Sequence, residues 1–252
     1  MIKINFLSFL FFTFTSIFYL TDDLKSQHYK VWFLDSNFEN CGITAIGYSK
    51  RSFMGDTAAL SYALLNACQN FIRNNSMRVI GQLYYWSTEI GTALMETNIS
   101  FWYDTSYVEK CKKETKVIDT MISENIVAVL ISDTDCLDVK NFKETKQINQ
   151  FSKPNWLEKI PSDDNFIYAV GVSPEYYNEI SSWLTSENEA IKSLAFQYYS
   201  QINALIKKED QTGEIIKSEK TEVNLRDLRV IARWRDKEQK IFYTLIRMPK
   251  PK

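Results

Sequence analysis

A chain of 252 residues with 45% apolar content is outside the disordered class and long enough for one large or two small hydrophobic cores. Thirty basic and thirty-one acidic side chains leave a formal charge of -1, so no global positive field draws in a nucleic-acid backbone, and nucleic acid is not expected as a partner. Aromatic residues reach 14%, a bias toward pleated, half-buried positions that predicts a large sheet content.

Lys3 gives the chain a short positive start, and Ile4 to Leu20 is then almost wholly apolar. This pattern reads as an export signal over residues 1–26, with a cut after Leu24-Lys25-Ser26. An uncleaved signal anchor is the alternative, because the run is near the lower length limit for spanning a bilayer. Membrane association is expected only through such an anchor or through a partner. Cys41 follows Asn40 well beyond the apolar run and is not placed for lipid attachment.

After the leader, the chain repeats itself. At an offset of 124 residues Trp32-Phe33 matches Trp156-Leu157, Ile43 matches Ile167, Ala45 matches Ala169, Gly47 matches Gly171 and Ser49 matches Ser173. Each copy opens on a short apolar strand whose closing glycine, Gly47 or Gly171, admits another backbone. A helix follows each strand. In the first copy Asp56 is expected as its cap and Leu60, Leu64, Ala67, Cys68 and Phe71 as its buried side, ending near Asn74-Asn75. In the second, Ser186-x-x-Glu189 reads as a capping box, before Ile191, Leu194, Ala195, Tyr198, Ile202, Leu205 and Ile206 at helical spacing.

A hairpin closes each copy. Val117 to Met121 with Ile126 to Ile131 corresponds to Val230 to Trp234 with Ile241 to Ile246. Aligning Ala59 with Ala190 gives the first copy about eighteen extra residues between helix and hairpin, because Ala59 to Val117 spans 58 and Ala190 to Val230 spans 40. That insertion holds Tyr84-Tyr85-Trp86 and Phe101-Trp102-Tyr103. These readings predict an α+β chain of two tandem modules, 27–137 and 154–252, joined by a polar linker, 138–153, each module a small antiparallel sheet on one main helix.

The residues that carry the repeat, Trp32, Gly47, Trp156, Gly171 and Trp234, also carry a resemblance. The Pro-x-Trp opening at Trp156, the Tyr-Ala-Val-Gly strand, the alanine-bearing helix and the Val-Ile-Ala-Arg-Trp-Arg-Asp and Phe-Tyr-Thr-Leu-Ile-Arg hairpin resemble the LPP-twenty lipoprotein family. Its module is similar to the amino-terminal domain of flagellar assembly protein T. The second copy carries the resemblance directly, and the first through the internal repeat. The resemblance implies an exported, periplasmic or outer-membrane-associated envelope protein with no enzymatic activity.

Chemistry is sparse. His28 is the only histidine and sits next to the expected cut, ahead of the repeated segments, so a Ser or Cys nucleophile lacks an imidazole base. No CxxC spacing, P-loop or GxGxxG occurs, and no cofactor or metal is expected. Of the four cysteines, 41, 68, 111 and 136, an exported chain can oxidise some or all in pairings that spacing does not choose, but Cys68 reads as a small core residue. Asp133 with Asp135, and Asp163-Asp164, read as turn-forming residues beside strands.

The aromatic triplets are the candidate partner surface. Strand alternation sends Tyr84 and Trp86, or Phe101 and Tyr103, to the core and leaves Tyr85 and Trp102 exposed. The expected function is an envelope structural or protein-interaction component. The alternative is a periplasmic module binding carbohydrate or peptidoglycan through exposed aromatics. A concave groove in which these rings meet Asn, Asp or Glu favours the second.

Overall fold

The computed structural model describes residues 28–38, 41–51, 55–88, 91–136, 144–147, 152–206 and 218–250, and over 82–88, 91–98, 146–147, 200–206 and 218–221 it describes the backbone alone. The expected export signal, residues 1–26, therefore lies outside the described residues.

The fold is α+β. In the first half, β1 (His28–Lys30) runs into a helical turn α1 (Val31–Leu34), followed by β2 (Thr44–Lys50), α2 (Asp56–Asn75), β3 (Ser76–Thr88), β4 (Gly91–Trp102), α3 (Val108–Glu114), β5 (Lys116–Ile122) and β6 (Ile126–Ser132). In the second half come β7 (Thr145–Gln147), β8 (Phe166–Pro174), α4 (Glu179–Ile206), β9 (Ser218–Arg226), β10 (Arg229–Asp236) and β11 (Ile241–Pro249). Two three-stranded antiparallel sheets have the same plan, β2–β6–β5 and β8–β11–β10, with the first strand on one edge and the last strand of the hairpin in the middle.

Each sheet carries its long helix in direct backbone contact. A Cβ on Gly47 would meet the Ala67 amide nitrogen and the Ala63 carbonyl at 1.9 and 2.2 Å, and a Cβ on Gly171 would meet Ser186 O and Ala190 N at 1.9 and 2.2 Å. Only glycine permits either approach. The alignment of the two helices is corrected by this geometry: Ala190 occupies the place of Ala67, two turns along from Ala59. Measured from Ala67 and Ala190 the excess of the first copy falls to about ten residues, because Ala67 to Val117 spans 50 and Ala190 to Val230 spans 40, and the elements it adds are β4 and α3.

The helix starts also differ from the sequence reading. Gly55, at φ +99°, is the cap residue of α2, while Asp56 is the first helical residue and pairs with Arg51 at 3.0 Å. The Ser186 capping box does not exist: α4 begins at Glu179, and Ser186 is buried inside it, its hydroxyl donating to Trp183 O at 2.9 Å and sharing a hydrogen bond with Thr244 Oγ1 at 2.7 Å. The sequence pattern misled because Ser186 belongs to the buried face that touches the sheet.

The halves are joined through shared interiors. β6 is buried at every position, with Val127, Val129 and Ile131 toward α2 and Ile126, Ala128 and Leu130 toward the other face, where Tyr29, Trp32 and Phe33 meet Trp183 and Phe242 of the second half. A strand covered on both faces reads as continuous apolar sequence. β3 pairs antiparallel with β9, giving a third sheet β4–β3–β9 whose Met77 and Val79 enter the core beneath α4. The expected linker is structured in part: β7 pairs with β1. Beyond β1, Asp35 bridges to Ala232, and Ser36 donates from N and Oγ to the carbonyls of Ile231 and Val230 at 3.0 and 2.9 Å.

At the centre of this junction Glu187 is inaccessible. Its carboxylate accepts from Arg233 at 2.6 and 3.1 Å, from Tyr48 at 2.9 Å and from Arg73 at 3.3 Å. Burial raises the pKa of such a carboxyl, but the charges of Arg233 and Arg73 and the hydrogen bonds of Arg233 and Tyr48 outweigh it, and Glu187 is held below the ordinary range.

Two disulfides are present, Cys41–Cys136 and Cys68–Cys111, with Cα separations of 4.7 and 5.7 Å. Cys68 is fully buried on α2 as its helical phase requires, but it is bonded to Cys111 of α3 and is not a lone core thiol.

Candidate binding groove

Alternation along the third sheet separates two sets of side chains. In register, Phe101, Val79 and Val223 form one row, and Trp102, Arg78 and Asn224 the next. The first row packs into the core beneath α4, so adjacent residues are driven to the opposite face. Trp102 is consequently 63% exposed, although it is one of the largest apolar side chains in the protein. Phe101 and Tyr103 are half-buried.

Trp102 stands over a concavity of about 420 Å³. The end of α2 supplies Phe71, Ile72 and Asn75, β3 supplies Arg78, and Tyr103, Asp104 and Tyr107 follow from β4. α3 closes the far wall with Lys110, Cys111 and Glu114. The wall is fixed covalently, because the Cys68–Cys111 bond ties α3 to α2. Asp104 begins that wall: its carboxylate accepts from Ser106 N at 2.9 Å, and hydrogen bonding to Ser106 lowers its pKa.

The charges in the groove are balanced. Lys110 lies 3.7 Å from Glu114 and 5.9 Å from the centre of the Tyr107 ring, and Arg78 pairs with Glu222 at 2.6 Å. Aromatic faces, amide groups of Asn75 and Asn224, and ion pairs of both signs offer stacking, donors and acceptors without a net attraction for either ion.

Of the other members of the candidate partner surface, Tyr103 lines this groove and Phe101 packs against the core beneath α4. Tyr84, Tyr85 and Trp86 lie on β3, in the stretch where only the backbone is described, so the expected division of their side chains between core and surface lies outside what is described. The two repeat tryptophans do not share an environment. Trp32 is wholly buried and donates to Asp119 Oδ2 at 2.9 Å, whereas Trp156 is half-buried in a 3₁₀ turn, Asn155–Leu157. Trp234 is half-buried beside Tyr243, with ring centroids 5.7 Å apart.

The acidic pairs take turn-forming roles. Asp133 accepts from Ile43 N at 2.8 Å, and Asp163 accepts from Asn165 N and Phe166 N at 2.7 and 2.8 Å. Among the described residues no group of three His, Cys, Asp or Glu side chains is placed to hold a metal, and no helix is long and apolar enough to cross a membrane.

Tyr107, Asn75 and Asn224 were missed by sequence reasoning because they come from three separated elements. The only local signal was Asn74-Asn75 at a helix end. Compared with known protein families, characterised proteins and solved structures, the chain matches none.

Proposed function

We propose that this chain is an exported, non-enzymatic envelope protein of two LPP-twenty-like modules whose Trp102 groove binds a neutral saccharide. The carrying observation is the exposed Trp102 indole above a concavity that also presents Asn75, Asp104, Glu114 and Asn224. Sugar rings offer an apolar C–H face and a rim of hydroxyls, matching an aromatic platform bordered by amides and carboxylates. The balanced ion pairs favour an uncharged ligand over an ionic one. The two disulfides are compatible with export. The two-module reading is supported by the shared strand order and by the matching glycine-on-helix contacts.

The test is titration of the full chain with a soluble N-acetylglucosamine oligomer and with dextran, followed by tryptophan fluorescence. A saturable change with either saccharide, lost in Trp102→Ala, is the expected result. No saturation with either, or unchanged binding by Trp102→Ala, overturns the assignment.

Protein partnership is the second reading, favoured by one observation: β4 is an outer strand of its sheet, open to pairing along its far side among the described residues. A pull-down from envelope extract that loses a specific protein with Trp102→Ala, alongside no saccharide binding, selects it.

A further inference from the structure

A second concavity of about 250 Å³ lies where the halves meet. Ser36, Phe38 and Cys41 border it from the first half, and the end of α2 and the β10–β11 ribbon form its other walls. Four guanidinium groups line it, Arg73, Arg229, Arg233 and Arg247, against two carboxylates, Glu187 and Asp227, which leaves two positive charges unmatched within the cleft. Glu187 is already engaged by Arg233 and Arg73.

The excess is concentrated in one place. Arg229 and Arg247 are direct cross-strand partners in the β10–β11 ribbon, an arrangement in which like charges repel. Arg229 donates to Gly42 O at a long 3.3 Å, and Arg247 lies over the Phe166 ring at 4.6 Å. Burial lowers the Arg229 pKa, and the Arg247 charge lowers it further, against the opposing influence of Asp227 and Asp133. Three buried polar atoms on lining residues have no hydrogen-bond partner: Arg73 Nε, Asn74 Oδ1 and Arg247 Nε. Arg73 and Asn74 are only 8% and 7% exposed, so solvent does not compensate them.

We propose that this cleft is a binding site for a small oxyanion, a carboxylate- or phosphate-bearing molecule clasped between Arg229 and Arg247. Guanidinium groups match both oxyanions bidentately, and an anion there converts cross-strand repulsion into shared attraction. The space equals that of about eight waters, the size of a dicarboxylic acid or a small phosphate ester. This site is separate from the Trp102 groove and does not depend on the saccharide assignment.

The experiment is calorimetric titration of the full chain with inorganic phosphate and with succinate, at constant ionic strength set by sodium chloride. Saturable binding of at least one anion is expected, weakened about tenfold or more in Arg229→Gln and in Arg247→Gln and unchanged in Trp102→Ala. Phosphate alone assigns a phosphate ester, and succinate alone a carboxylate. A mapped phenylglyoxal reaction on the wild-type chain gives a readout that needs no variant: bound anion is expected to slow modification of Arg229 and Arg247. No saturation by either anion, folded variants that bind as the wild type does, or modification of both arginines at the same rate with and without anion overturns the proposal.

Discussion

The Arg233 guanidinium closes on the Glu187 carboxylate through Nη2 at 2.6 Å and Nε at 3.1 Å, with both side chains sealed from solvent. Glu187 comes from α4 and Arg233 from β10, while Arg73 and Tyr48 reach the same carboxylate from the first half. Glu187→Gln preserves the shape but leaves Arg233 and Arg73 buried without their counter-charge. A loss of about 3–5 kcal/mol in urea-unfolding free energy is expected. A loss below about 1 kcal/mol contradicts the claim that this carboxylate holds the two halves together.

The same carboxylate sets the acid limit of the fold. Its folded pKa is depressed, so its contribution is fully present above the unfolded value, about 4.3, and is lost as pH falls through the lower folded value. The melting temperature of the wild type is expected to fall more steeply below about pH 4.3 than that of Glu187→Gln. Tyr48 behaves in the opposite sense. Burial and the Glu187 charge raise its pKa well above 10.0, so its contribution is complete below pH 10.0 and is lost as pH rises through the raised folded value. Parallel melting curves for the two proteins across the acid range sink this account.

Gly47 and Gly171 make equivalent demands on two different helices. An added methyl at either site meets backbone, which cannot swing away as a side chain can, so Gly47→Ala and Gly171→Ala are expected to destabilise by about 1–3 kcal/mol or more. Because Trp183 and Phe242 share a core with Tyr29, Phe33 and Tyr48, a lesion in one half loosens both. Amide exchange in β6 and in β11 is therefore expected to accelerate together in Gly171→Ala. Acceleration confined to β11 identifies halves that unfold separately.

The strand, helix and hairpin order was legible because short apolar strands, a 3.6-residue stripe and polar turns leave local marks. Gly47 and Gly171 showed in the sequence for the same reason: a close backbone approach tolerates one residue type. What the sequence concealed is non-local. The pairing of β3 with β9 unites residues such as Val79 and Val223 from opposite halves, and nothing near either announces the other. β7 hid in a polar stretch because its three residues pair with the equally short β1. Glu187 did leave a trace, a charge on the apolar stripe one turn before Ile191. Its meaning required Arg73 and Arg233, which the fold alone brings to it.

The Cys68–Cys111 bond joins two helices 43 residues apart and closes the groove wall at the same time. Cross-linking a loop of that length restricts the unfolded chain by about 4 kcal/mol in the loop-entropy account. Cys68→Ala with Cys111→Ala is thus expected to lower unfolding free energy by about that amount and, if the groove is the saccharide site, to weaken binding as α3 loses its tether. Cys41→Ala with Cys136→Ala removes a longer constraint of 95 residues but lies outside the groove, so stability falls and saccharide affinity stays. Peptide mapping without reduction verifies the pairings, and affinity measured on both double variants separates the two roles. Equal affinity in both would mean that α3 holds its place without the disulfide.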